Sequence, residues 1–223
     1  MNIIGLAGAA SAGKSTVARM LVGDHGFTEV ALADPIKRIC RDVFAFTDEQ
    51  LWGPSSKRNE PDTRFRRSDL SCLTPRHALQ QLGTEWGRGC YDNVWVDLAI
   101  RTADKLLGQV VYDYNPKYGP RLNTADSLTR EKCRPRGVVI SDVRFVNEAE
   151  AIRAAGGKVW RILRPLVQKD VDAGIASAVW RDHASEHALD DWGDERFDMI
   201  INNEGGSLED LRGLVKAAME ASR

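Results

Sequence analysis

Residues 8–15 read Gly-Ala-Ala-Ser-Ala-Gly-Lys-Ser, which fits the pattern GxxxxGK[ST] without a mismatch. The octapeptide follows a short apolar run, residues 2–7, that reads as a buried strand. It opens a stretch, residues 14–22, with helical spacing. A strand, a glycine-rich loop and a helix in that order constrain the fold strongly, because they form one half of a βα unit of a parallel sheet. Glycines let the backbone wrap an anion, so that successive N–H groups and the helix amino terminus face one phosphate. In such a loop Lys14 reaches the β- and γ-phosphates and the Ser15 hydroxyl can ligate Mg²⁺. A plain Gly/Ala/Ser turn before a helix is the competing reading, and it leaves the Lys-Ser ending unexplained.

The rest of the chain continues the alternation. Residues 27–33 read as a second strand and 34–44 as a helix, with Asp34 as N-cap and Pro35 at its first position. Residues 76–88 and 94–107 read as helices. Residues 138–141 form a third apolar run, 147–155 a helix, 158–163 a fourth strand and 199–201 a fifth. Ser207 then caps an amphipathic helix with Leu208, Leu211, Val215 and Met219 on one face. Residues 47–74 and 108–136 lose periodicity and read as irregular inserts, and 165–193 as a lid. Strands alternating with helices predict an α/β fold, a P-loop NTPase with a mainly parallel five-stranded sheet flanked by helices, in one domain over 1–223. Ligands of such a sheet sit at the carboxyl ends of its strands.

Composition narrows the function. The 223 residues carry 31 Lys+Arg against 32 Asp+Glu, a formal charge of -1, which argues against a general polyanion binder. No stretch approaches about 18 consecutive apolar residues, and the amino terminus lacks the basic n-region of a signal peptide. A cytoplasmic location is expected. Cys40, Cys72, Cys90 and Cys133 stand far apart, without metal-ligand spacing, and read as reduced thiols.

Two strand ends carry acids. Val138-Val139-Ile140-Ser141-Asp142 has the form of a Walker B element. Asp142 could hold Mg²⁺ directly or through water, and Arg144 could bind an anion. Asp34 could orient or deprotonate an attacking oxygen, with Lys37 one helical turn on; a plain N-cap is its alternative. The segment Thr74–Arg88 is rich in polar side chains, with Leu79 and Leu82 on the core side. Arginine suits forked recognition of phosphate and glutamine the edge of a base.

The segments LADPIK, TPRHALQQLGTEWGR, VWVDLAI, VISDVRFVNEAEAI, HASEHAL and DMIINNEGGSLEDL, in this order behind the phosphate loop, resemble phage-type deoxynucleoside monophosphate kinases over most of the chain. The fold is similar to that of adenylate kinase and dephospho-coenzyme A kinase. The resemblance implies transfer of the ATP γ-phosphate, with Mg²⁺, to a deoxynucleoside 5′-monophosphate. Gly8, Ala9, Ala10, Ser11, Ala12, Gly13, Lys14, Ser15 and Thr16 would hold ATP, and Ser15 and Asp142 the metal. Asp34 would sit by the acceptor phosphate, which Lys37, Arg76 and Arg144 would bind. Gln80, Gln81, Glu85 and Arg88 would face the nucleoside, with Trp95 as a stacking surface. In the lid region, which includes Glu186, either Arg164 or Arg181 would reach the transferring phosphoryl. Related kinases are often homodimers.

The two inserts strain this pattern. Residues 57–88 hold seven basic and four acidic side chains, and residues 117–136 six and two. Both are locally positive. That suits an alternative acceptor, a hydroxymethylated pyrimidine such as 5-hydroxymethyluracil within phage DNA, contacted through strand phosphates. A nucleotide-dependent switch without transfer activity is a third reading, which the Arg/Gln/Glu-rich segment 76–88 disfavours.

Overall fold

Each of the five runs expected to be strands forms one: β1 (Ile3–Ala7), β2 (Phe27–Val30), β7 (Gly137–Ile140), β8 (Lys158–Leu163) and β9 (Met199–Asn202). The computed structural model describes residues 2–108, 134–164, 188–189, 192–204 and 206–222, together with the strand backbone at 112–115 and 119–122. The chain divides into two units, one of Met1–Ala31 with Val96–Arg223, the other Leu32–Trp95.

In the first unit the five strands form one sheet in the order β2-β7-β1-β8-β9. Every pairing in it is parallel. Strands β1 and β7 are buried along their whole length, as expected for the centre of a sheet covered on both faces. Alternation along β1 sends Ile4 and Leu6 to one face. There they join Val17 and Leu21 of α1 (Lys14–His25) and Leu211, Val215 and Ala218 of α8 (Leu208–Ala221). The opposite face carries Gly5, where an added Cβ would lie 2.8 Å from Ile152 of α7 (Val146–Ala154). Helices therefore flank the sheet on both sides. Helix α1 runs three residues past its expected end and stops at Gly26, whose left-handed backbone (φ 73°) closes it with an N–H bond to Leu21 O. Ser207 caps α8 as expected, accepting from Asp210 N.

The second unit starts with α2 (Asp34–Phe44), whose bounds match the expectation, although its cap does not. Ala33 is the N-cap, since its carbonyl takes the first helical bond from Lys37 N at 2.9 Å. Asp34 therefore lies inside the first turn, and its side chain caps nothing. Residues 47–74 are not an irregular insert. They fold as α3 (Asp48–Trp52), α4 (Ser55–Asn59) and the antiparallel pair β3 (Asp62–Arg66) and β4 (Cys72–Leu73). A capping box starts α3: Gln50 N donates to Thr47 Oγ1 and Thr47 N to Gln50 Oε1. Cys40, Phe46, Leu51 and Ala78 make the core, against which Phe44, Phe65, Leu73, Leu79 and Leu82 pack. The side chain of Gln50 also donates to Asp62 Oδ2 at 3.1 Å, and Arg64 grips the same carboxylate with Nε and Nη2 at 2.9 and 2.7 Å. These bonds, Arg64 above all, hold the Asp62 carboxyl well below the usual carboxylate range.

The expected helix over 76–88 is a composite. Helix α5 (Pro75–Gln80) passes into a π-helical stretch, Gln81–Arg88. The cause is Trp95 near the start of α6 (Val94–Leu106), whose indole N–H takes the carbonyl of Gly83 at 2.8 Å. Its ring fills the space beside Gly87, where a Cβ would lie 2.4 Å from Cζ2. Within 108–136, Tyr112–Asn115 (β5) and Gly119–Leu122 (β6) form an antiparallel pair rather than irregular chain. The remainder of that insert and most of the expected lid at 165–193, with Arg181 and Glu186, lie outside the described residues.

Candidate functional site

The carboxyl ends of β1 and β7 lie side by side, with Gly5 in register with Ile140. The chain leaves β1 directly into the loop Gly8–Ser15 and leaves β7 into Ser141-Asp142. Gly8 has φ 138°, and a Cβ there would meet the carbonyl oxygen of Ile162 at 2.3 Å. Only glycine fits a backbone pressed that closely on β8. Ser11, at φ 65°, takes a left-handed conformation uncommon for a side-chain-bearing residue, as loops that turn successive N–H groups inward require. Gly13 (φ 110°) precedes α1, whose amino terminus has neither a side-chain cap nor an acidic residue in its first turn. The first turn therefore offers no negative group of its own to the positive end of the helix dipole.

A cavity of about 350 Å³ opens at this point, lined by Ser11, Gly13, Lys14, Ser15 and Thr16 on the loop side. Its other wall holds Arg164, Asn203, Gly206, Ser207, Leu208 and Leu211. Lys14 Nζ donates to the loop's own carbonyls, Gly8 O at 2.6 Å and Ala9 O at 2.8 Å. Arg164 follows the last residue of β8, and its Nε is buried with no hydrogen-bond partner among the described residues. A buried guanidinium N–H without an acceptor is costly, and an anion in the cavity would relieve it. Asn203 closes the loop from behind, its Nδ2 donating to Ala12 O at 3.0 Å. Of this wall only Arg164 was anticipated from sequence, as one of two arginines expected to reach the transferring phosphoryl. The only local signal of the rest is the Asn-Asn-Glu-Gly-Gly run after β9, which reads as an ordinary turn.

Asp142 and Arg144 sit on the turn after β7. Glu148, buried at the start of α7, accepts from Arg144 N at 2.8 Å and Phe145 N at 3.1 Å. That carboxylate fixes the backbone from which Arg144 projects. The Ser15 hydroxyl and the Asp142 carboxylate are hard oxygen donors. Few such donors suit Mg²⁺, which keeps waters and substrate phosphates in its shell. Among the described residues no cluster of three or more His, Cys, Asp or Glu forms a metal cage.

The second unit gathers another set of expected residues. Asp34 Oδ1 accepts from Trp52 Nε1 at 3.0 Å and from Lys37 Nζ at 3.4 Å. Arg76 is aimed by α4: its Nε donates to Asn59 Oδ1 at 2.5 Å and its Nη2 to Ser55 Oγ at 2.6 Å. Gln80 and Gln81 lie at the junction of α5 and the π-helical stretch, and Glu85 is exposed on that stretch. Arg88 donates from Nη1 to Asp92 O at 3.1 Å. Trp95 is 8% exposed and its N–H is engaged by Gly83, so the structure gives it a packing role. Trp52, Asn59 and Ser55 come from the segment expected to be irregular.

Three of the seven basic residues in 57–88 pair with three of its four acidic ones, and the local positive excess remains. Lys57 pairs with Glu60 at 3.1 Å, Arg64 with Asp62 at 2.7 Å and Arg67 with Asp69 at 3.6 Å. Among the described residues no helix is long and apolar enough to cross a membrane.

No family model matches the chain. Among solved structures it is similar to a dephospho-CoA kinase from Campylobacter jejuni, with 16% identity, 99% of this chain and 96% of that chain covered, and a TM-score of 0.45. It is also similar to a shikimate kinase from Acinetobacter baumannii in complex with shikimate, with 13% identity, 100% and 95% covered, and a TM-score of 0.47. Likenesses this distant say nothing of substrate. A protein of Acanthamoeba polyphaga mimivirus assigned as a deoxynucleotide monophosphate kinase is 35% identical over 171 residues, 76% of this chain and 78% of its own length. An unmismatched phosphate loop on a five-stranded parallel sheet is what a phosphotransferase of that kind requires. The chain is a nucleotide kinase and belongs to the deoxynucleotide monophosphate kinase family.

Proposed function

We propose that the protein transfers the γ-phosphoryl group of ATP to the 5′-phosphate of a deoxynucleoside monophosphate. An oxygen of the acceptor phosphate forms the new bond to the γ-phosphorus. The bond from that phosphorus to the bridging β-oxygen breaks, and its electron pair leaves with ADP. The observation that carries this reading is the cavity at the phosphate loop, lined by Lys14, Ser15 and Arg164, whose buried Nε has no partner among the described residues.

In this reading the first unit supplies the donor side. The amides of Gly8–Thr16 and the amino terminus of α1 take the phosphates, and Lys14 exchanges the carbonyls of Gly8 and Ala9 for the β- and γ-oxygens. Arg164 places its guanidinium against the charge that develops on the transferring group. Ser15 and Asp142 would hold Mg²⁺, which neutralises phosphate charge when bound. Asn203, Ser207 and Leu208 are left for the sugar and base of ATP. The second unit supplies the acceptor side: Lys37 and Arg76 are assigned to the acceptor phosphate, and Asp34 orients the acceptor. Gln80, Gln81, Glu85 and Arg88 are assigned to the nucleoside. Such chemistry needs little covalent participation by the protein, only positioning and charge.

Transfer of label from γ-labelled ATP to each of the four deoxynucleoside monophosphates, run beside 5-hydroxymethyluracil-containing DNA, tests this. Diphosphate formation is expected, and transfer confined to the polymer would overturn the reading. Lys57, Arg64 and Arg67 pair with acids of their own segment, which leaves its positive excess in place and makes the polymer arm of the assay necessary.

A further inference from the structure

Trp52 is a large indole, 39% exposed, on a five-residue helix with no catalytic group of its own. Exposed tryptophan is expensive to keep in water unless its ring or its N–H is used. Here both are. Two cations approach the ring, Lys37 Nζ and Arg41 Cζ each 5.6 Å from its centroid. The N–H donates to Asp34 Oδ1 at 3.0 Å.

The two donors on Asp34 differ in kind. Lys37 reaches Oδ1 only at 3.4 Å, from the end of a flexible stem, and the acceptor phosphate assigned to it would draw it away. Indole is planar, carries a single donor and accepts nothing, so its bond has one direction and one sense. Among the described residues both hydrogen bonds to Asp34 fall on Oδ1 and none on Oδ2. The capping box at Thr47 and Gln50, and through Gln50 the buried Asp62, set the helix from which Trp52 projects.

We propose that Trp52 is a positioning residue for Asp34: its indole N–H holds Oδ1 while the acceptor binds, leaving Oδ2 as the oxygen that meets the acceptor. The proposal rests on the acceptor-side reading of Asp34 above. It explains why the segment ahead of the β3–β4 pair belongs to the site although it carries no phosphate-binding side chain.

The test replaces Trp52 in the full-length enzyme in two ways. Trp52→Phe removes the N–H and part of the ring. Incorporation of 3-benzothienylalanine at position 52 keeps the bicyclic ring and substitutes sulfur for the N–H. Both forms should lose about tenfold in kcat with a deoxynucleoside monophosphate, the scale of one lost hydrogen bond to a charged group. KM for ATP and Tm should stay at the wild-type values. A benzothienyl form as active as wild type would overturn the proposal, even if Trp52→Phe were impaired, since the ring alone would then matter. A fall in Tm matching the loss of activity in both forms would also overturn it, in favour of a structural role. A wild-type enzyme that phosphorylates no deoxynucleoside monophosphate would overturn the reading of the site beneath it instead.

Discussion

Lys14 donates to two carbonyls of its own loop, and its removal tests the phosphate-binding role. The Gly8 and Ala9 carbonyls lose a donor in Lys14→Ala but lie at a part-buried position that water can serve. The variant should keep its Tm within a few degrees while phosphoryl transfer falls by at least about 100-fold, the scale of removing one charge-stabilising group. Differential scanning fluorimetry and an initial-rate assay check the two halves of that statement. The thiols give a second prediction at this scale. Burial pushes the Cys40 thiol up to about 11, whereas Cys90 is exposed. A thiolate reagent at pH 8 should label Cys90 readily and Cys40 only on unfolding, which mass spectrometry of the modified peptides would resolve.

At the scale of elements, the second unit shows what periodicity reads and what it misses. Helix α2 matched its expected bounds because eleven residues give three full turns of apolar spacing. Helices α3 and α4, five residues each, are shorter than two turns and leave no periodic trace. The legible signal for α3 was chemical, Thr47 and Gln50 at capping-box spacing, whereas α4 has no side-chain cap. The π-helical stretch was hidden for another reason. Gly83 and Gly87 are four apart, as on any α-helix, and the residue that reshapes the segment, Trp95, lies beyond its end. Gly87→Ala should therefore destabilise the protein by about 1–3 kcal/mol through overpacking against Trp95, measured by urea denaturation.

The same unit should respond to acid. The Asp62 carboxyl is depressed by Arg64, so its stabilising contribution is fully present above its unfolded value, about pH 4, and is lost as pH falls further towards its folded value. His77 is lowered by partial burial and then by Arg67, so its contribution fades over a higher window, as pH falls below about 6.5. Denaturation midpoints measured across pH 7 to 3 should decline in both windows. Asp62→Asn should remove the lower one, starting from a less stable protein.

At the scale of the whole molecule, the sheet order was beyond reach of the sequence although its five strands were not. Strand identity depends on local apolar runs, while order depends on which runs find each other, and here β1 takes both neighbours from the later part of the chain. The donor cavity was half legible for the same reason: the loop wall is one contiguous motif, and the facing wall is assembled from Arg164 and residues 203–211. ATP that binds only the folded protein at 100 times its dissociation constant should stabilise it by about 2.7 kcal/mol. A rise in Tm with ATP, absent in Lys14→Ala, is the expected result.

The closure of the loop by Asn203, which donates across 191 positions to Ala12, bears on how the protein comes into being. In a nascent chain the octapeptide emerges long before Asn203, when neither strand beside β1 nor the amide that steadies the loop has been made. Early chains, and amino-terminal fragments that retain the motif intact, should not retain on nucleotide resins. Competence arrives as one late event, once Asn203 has left the ribosome.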